Sequence, residues 1–154
     1  MLNKTAVIGL GNSLRRDDGI GIKILESLLN TCKHQGIDYL NFGIASFDLM
    51  HRLQNYNVVL LIDGINAGLS TGALKIFELK EGSFTNKDGA ISSHELNLKD
   101  IFRLTEELKI KTKIYVAGIQ ISDVGYGESL SNALEEELED ITKQIDKFIQ
   151  EKLI

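Results

Sequence analysis

Several things are scarce in this chain, and each scarcity narrows what it can be. Cys32 is the only cysteine in 154 residues. An intramolecular disulfide is therefore impossible, which fits a reducing compartment, and a cytoplasmic location is expected. No apolar run reaches the roughly 18 residues that a membrane span needs. The opening "MLNKTAVIGLGN" passes straight into a strand-like run. It lacks the charged leader, apolar core and small-residue cleavage site of a signal peptide, so none is expected. Basic residues are outnumbered, 17 against 22 acidic, for a net charge of −5. A nucleic-acid partner would call for a basic face, so none is expected. Proline is absent, against a usual share of about 5%, and nothing in the pattern accounts for it. What is present is ordinary for a globular protein, with 43% hydrophobic and 25% charged residues. The length predicts a single domain over residues 1–154, able to bury roughly 70% of its unfolded surface without a disulfide or metal staple.

Apolar runs alternate with helical patterns along the chain. Ala6 to Leu10 reads as a buried strand. From Asp18 onward, Ile20, Ile24, Leu25 and Leu28 follow helical spacing. Tyr39 to Phe42 is a second strand, and Phe47, Met50 and Leu53 mark a short helix. Val58 to Ile62 is an unbroken apolar run ending at Asp63, the signature of a strand covered on both faces. "GALKIFEL" is a further strand. Ser92 and Glu95 have capping-box spacing and predict the start of a helix through Leu98, Ile101, Phe102 and Leu108. "KIYVAGI" is the last strand. A final helix carries Leu134, Leu138, Ile141, Ile145 and Phe148, with the acidic run Glu135 to Asp140 on its solvated side. The order βαβαββαβα implies an α/β/α sandwich around a mostly parallel sheet.

In such a sheet, ligands bind beyond the carboxyl ends of the strands. Asp17 and Asp18 follow the first strand, Asp63 follows the third, and His94 lies near a predicted helix start. Two carboxylates and an imidazole suit a divalent transition metal and leave coordination positions open. Each residue also has a plainer reading. Asp18 is placed to cap a helix, Asp63 to form a turn with Gly64, and His94 to be an ordinary loop histidine. His34, at a polar helix end, and His51, on a short helix beside Arg52, are read as ordinary surface histidines, and Cys32 as a small packing group. Gly9 and Gly11 begin a dinucleotide-type glycine pattern, but Leu14 occupies the third glycine position, and no Walker motif is present.

Taken together, "GLGNSLRRDDGIG", "VVLLIDGI", "ISSHELNLKDIF" and "VAGIQISDVGYGESLS" resemble, in this order, the motifs of the hydrogenase maturation endopeptidases. The resemblance covers nearly the whole chain. It implies an α/β/α sandwich with a five-stranded sheet of order 2-1-3-5-4, strand four ("GALKIFEL") antiparallel. It implies an aspartic-type, metal-dependent hydrolase that trims a C-terminal extension from the large-subunit precursor of a nickel–iron hydrogenase after nickel insertion. The nickel belongs to that precursor. Asp18, Asp63 and His94 fall on the metal-ligand and catalytic positions, and Asp17 on a supporting or capping one. A monomer is expected. Gly19 and Gly21 would let another chain approach the site, and Arg15 and Arg16 would either balance the carboxylates, contact the substrate tail or remain solvated.

One segment departs from the family pattern. Where an acid and two glycines are usual after strand two, this chain has "NFGIAS", with Asn41 and Phe42 ahead of Gly43. That departure keeps a second reading open, a non-catalytic sensor or chaperone for a nickel site on the same fold. Peptidyl-tRNA hydrolases also open with a strand and "GLGN", but Ser13 stands where they have proline, and their "RHN" stretch is missing. Two carboxylates and one imidazole hold metal less tightly than thiolate cages. The isolated protein is therefore expected to carry little metal, and to bind added nickel, zinc or cadmium less well as His94 protonates on acidification. Stoichiometric metal that survives a chelator would contradict this.

Overall fold

The structure, a computed structural model, describes residues 3–81 and 97–154. Its strands are β1 (Thr5–Leu10), β2 (Ile37–Gly43), β3 (Val58–Ile65), β4 (Leu74–Glu78) and β5 (Lys113–Gln120). The helices are α1 (Ile20–Thr31), α2 (Asp48–Leu53), α3 (Leu98–Glu107) and α4 (Asn132–Lys152). A 3-10 turn, Arg16–Gly19, leads into α1. The sheet order is β2-β1-β3-β5-β4, with β4 antiparallel to β5 and the other pairings parallel.

Strand alternation divides the core in two. Ala6, Ile8, Leu10, Val59 and Leu61 face α2 and α3, where Leu49, Met50, Leu53, Leu98 and Ile101 are buried. Val7, Leu60 and Ile62 face the other way, against Ile20, Ile24 and Leu28 of α1 and Leu134, Ile141 and Ile145 of α4. This is why β1 and β3 read as unbroken apolar runs: both of their faces are covered. The sandwich and strand order expected from the resemblance are observed. Glu135, Glu136, Glu137, Glu139 and Asp140 are exposed on α4, as the charge pattern predicts.

Several boundaries differ from the sequence reading. β3 continues through Asp63 to Ile65, so Asp63 lies within a strand and not in a turn after it. The helix carrying Leu98 is capped by Asn97, whose side chain accepts from the Asp100 backbone while the Asp100 carboxylate accepts from Asn97 N–H. This capping box, five residues beyond the Ser92–Glu95 pair, sets the start of α3; Ser92 and Glu95 themselves lie outside the described residues. Phe47 and Leu108, assigned to apolar helix faces, are both exposed at helix ends.

Glycine governs how closely α1 meets the sheet. A Cβ on Gly21 would stand 2.2 Å from the Ile62 carbonyl oxygen and 2.3 Å from that of Leu10. A Cβ on Gly9 would stand 2.8 Å from the Gly21 carbonyl. The first turn of α1 therefore rests directly on the carboxyl ends of β1 and β3. Gly21 is buried in this contact and Gly19 against Asn12 and Ser13, and the expectation that they leave room for another chain is not met. The space is filled by the protein's own backbone. Gly21→Ala should lower stability by about 3 kcal/mol or more, since the neighbouring atoms are backbone and cannot rotate away. Chemical denaturation with an unchanged midpoint would refute this.

Candidate functional site

The two adjacent aspartates of "RRDDG" have separate environments. Asp17 is 0% exposed, and Asp18 and Asp63 are each 2% exposed. Asp18 sits in the 3-10 turn, and its Oδ2 accepts from the Asn12 backbone N–H at 3.2 Å. The N-cap position of α1 is taken by Gly19, with Asp18 one residue before it in the turn. The turn is closed by Asn12 N–H donating to the Asp18 carbonyl and Asp18 N–H donating to the Arg15 carbonyl. Gly11, at φ +142°, makes this possible, because a Cβ there would fall 2.1 Å from the Asp18 carbonyl oxygen.

Asp63 reaches the same end of the sheet from β3, where it pairs in register with Gly118. The 3-10 turn packs on β3. Gly21 rests on the carbonyl of Ile62, and Gly64 lies beneath the Ile20 side chain. Residues on either side of Asp63 thus touch the first turn of the helix that Asp18 precedes. The fold brings these two carboxylates onto adjoining segments at the carboxyl ends of β1 and β3. His94 lies outside the described residues. Among the described residues, no group of three or more His, Cys, Asp or Glu side chains is arranged to hold a metal ion.

Asp17 does something the sequence alone does not reveal. Its carboxylate accepts from the backbone N–H groups of Ser122 (3.1 Å), Asp123 (3.0 Å) and Ser131 (2.7 Å). It also accepts from the hydroxyls of Ser122 (3.2 Å) and Ser131 (2.9 Å). Ser131 is the N-cap of α4, so the carboxylate also lies at the positive end of that helix. Burial pushes its pKa up, but the donors from Ser131, Asp123 and Ser122 outweigh it and hold the carboxyl below its ordinary value of 3.8.

The rest of the loop continues the same attachment. Arg16 N–H donates to the Gly127 carbonyl, Gly127 N–H to the Leu14 carbonyl, and Asp17 N–H to the Asp123 carbonyl, each at 2.9 Å. Arg15 Nε donates to the Val124 carbonyl at 3.1 Å. Arg16 pairs with Asp123 at 3.1 Å, although Nε lacks good hydrogen-bond geometry there. Both arginines thus bind the β5–α4 loop, and neither is simply solvated. Arg16 is held at φ 47°, a strained conformation for a side chain of its type.

Two further polar residues were undervalued by sequence reasoning. Gln120, buried at the end of β5, accepts from Ala67 N–H (2.8 Å) and Leu69 N–H (3.2 Å). Its amide donates to Asn66 and to the Ile121 carbonyl, so it fixes the β3–β4 loop. Its signal in the sequence is a lone amide closing an apolar strand. His34, read as an ordinary surface histidine, contacts Asp146 of α4 through Nε2 at 2.6 Å.

A family model described as "Hydrogenase maturation protease" matches residues 22–148, a span that includes Asp63 and His94 and begins just after Asp18. The hydrogenase expression/formation protein HoxM of Azotobacter vinelandii is 23% identical over 149 residues, covering 95% of this chain and 72% of that one. The hydrogenase 2 maturation protease of Escherichia coli is 31% identical over 99 residues, covering 62% of this chain and 58% of that one. Among solved structures, the hydrogenase maturating endopeptidase HybD from E. coli shares the fold with a TM-score of 0.79. It is 22% identical, over 96% of this chain and 93% of that one. The hydrogenase maturation protease HycI of Thermococcus kodakarensis superposes with a TM-score of 0.73 at 24% identity, again over 96% and 93%.

Asp17→Asn should lower stability near neutral pH by about 2 kcal/mol, because an amide cannot receive all these donors and loses the charge-assisted bonds. A lowered pKa means that the native state favours the carboxylate. The stabilisation is therefore present in full above the unfolded value, near pH 3.8, and is lost as pH falls through the lower folded value. The stability gap between wild type and variant should close only in that acid range. A gap that closes near pH 6 would contradict the assignment.

Proposed function

The chain belongs to the hydrogenase maturation protease family, and we propose that it removes a C-terminal extension from a nickel–iron hydrogenase large-subunit precursor once nickel is inserted. The observation that carries this reading is the placement of Asp18 and Asp63 on adjoining segments. Two buried carboxylates lie at the carboxyl ends of the parallel strands β1 and β3, where glycine contacts seat the first turn of α1. Carboxylate oxygens suit a substrate-borne divalent metal.

In this reading Asp18, Asp63 and His94 grip the nickel of the precursor. That grip tests whether the metal is present before the chain is cut. Bound this way, the metal end of the precursor sets the scissile peptide against the carboxylates. A carboxylate can then orient a water, and the charge developing on the peptide oxygen is stabilised by the cation. Asp17 takes no part in this chemistry, since its oxygens are occupied by the β5–α4 loop.

Asp18 and Asp63 are buried, so isosteric variants are the right test. Asp18→Asn, Asp63→Asn and His94→Ala should each reduce cleavage of nickel-loaded precursor at least a hundredfold, read as release of one C-terminal peptide by mass spectrometry. Nickel-free precursor should stay intact with the wild-type protein. Equal cleavage of both precursors would overturn metal recognition. Tight binding of loaded precursor with no cleavage would favour the sensor reading, to which Asn41 and Phe42 in the β2–α2 region lend support.

A further inference from the structure

The loop that receives Asp17 also holds out the most exposed aromatic side chain described. Tyr126 is 91% exposed. Such a ring gains almost nothing for folding, yet the backbone around it is fixed. Gly125 N–H donates to the Asp123 carboxylate at 3.0 Å, and the Val124 carbonyl accepts from Arg15 Nε. Gly127 is bonded on both sides, to Leu14 and Arg16. The Arg15 guanidinium lies 5.8 Å from the centre of the Tyr126 ring. Leu14, joined to Gly127 across the same loop pair, is 60% exposed.

The geometry points to Tyr126, with Leu14 and Arg15, as an anchor that docks the protein substrate beside the carboxylate site. This rests on the reading above: the loop that holds out Tyr126 is bonded to residues 14–17, which form the turn carrying Asp18. Aromatic rings held on a rigid backbone bind well because little freedom is lost when they are covered. Tyrosine and arginine are the residue types that most often dominate such contacts. The occupant is a folded protein surface with an apolar recess able to take the ring and the leucine. Other exposed apolar side chains lie on neighbouring loops at this end, Ile44 and Phe47 after β2 and Leu69 after β3, and would extend the covered area. Leu108, also exposed, precedes β5 at the opposite end of the sheet and serves as a control.

The test measures steady-state cleavage of nickel-loaded precursor by the full chain, together with cadmium binding to the protease alone. Tyr126→Ala should raise KM about tenfold, the loss typical of an anchor residue, with kcat within about twofold. Tyr126→Phe should match the wild type, because the contact is made by the ring. Leu108→Ala should leave KM unchanged, and cadmium binding should be the same in all variants. A KM for Tyr126→Ala within about twofold of wild type, or a loss confined to kcat, overturns the proposal. Should the wild type bind the precursor without cutting it, Kd replaces KM with the same expectation, and only the protease reading falls. Absence of both binding and cleavage in the wild type overturns both.

Discussion

Everything at the functional end of this molecule depends on how closely one helix approaches two strands. Gly21 puts the backbone of α1 against the carbonyl oxygens of Leu10 and Ile62, where no side chain fits. Gly9 accommodates the reverse contact from below. A helix seated at the normal distance for side-chain packing would carry the preceding turn, and Asp18 with it, away from β3. The apolar face of α1 then seals the arrangement, with Ile20, Ile24 and Leu28 buried against the sheet. Hydrophobic burial stabilises the seat, while the missing Cβ atoms decide where it is.

The adjacent aspartates show how neighbours of identical chemistry acquire different work. Asp17 faces inward to a set of donors that leaves its carboxylate saturated and its pKa lowered. Asp18 Oδ2 instead accepts from Asn12 N–H, within the turn that packs on β3. A single tight turn, with Arg16 forced to a positive φ, separates the two directions. Strain of this kind persists only where the surroundings over-determine the backbone. Here the bonds of Arg16 and Gly127 supply that constraint.

Much of this was legible beforehand, and the reason lies in periodicity. The runs of β1 and β3 and the spacing of Ile20, Ile24 and Leu28 report burial directly, so the sandwich could be read from them. The strand order and the antiparallel β4 came from family resemblance and not from spacing. Asp18 and Asp63 could be singled out because strand ends are where ligands sit. What could not be read were contacts whose halves are far apart in the chain. The donors to Asp17 lie 105 to 114 residues away, and the partner of His34 lies 112 residues away. The start of α3 is set by the Asn97–Asp100 pair adjoining Leu98, while the Ser92–Glu95 pair with the same spacing lies outside the described residues.

The long reach of Asp17 bears on when this enzyme can exist. Translation delivers its carboxylate far ahead of Ser122, Asp123 and Ser131, which arrive only in the last third of the chain. Until then the turn holding Asp18 has nothing to close against on that side, and α1 has no α4 beside it. A nascent or prematurely ended chain therefore carries Asp18 and Asp63 without the frame that positions the turn before α1. For a member of a protease family, a site framed only when synthesis is nearly complete keeps partial copies from acting.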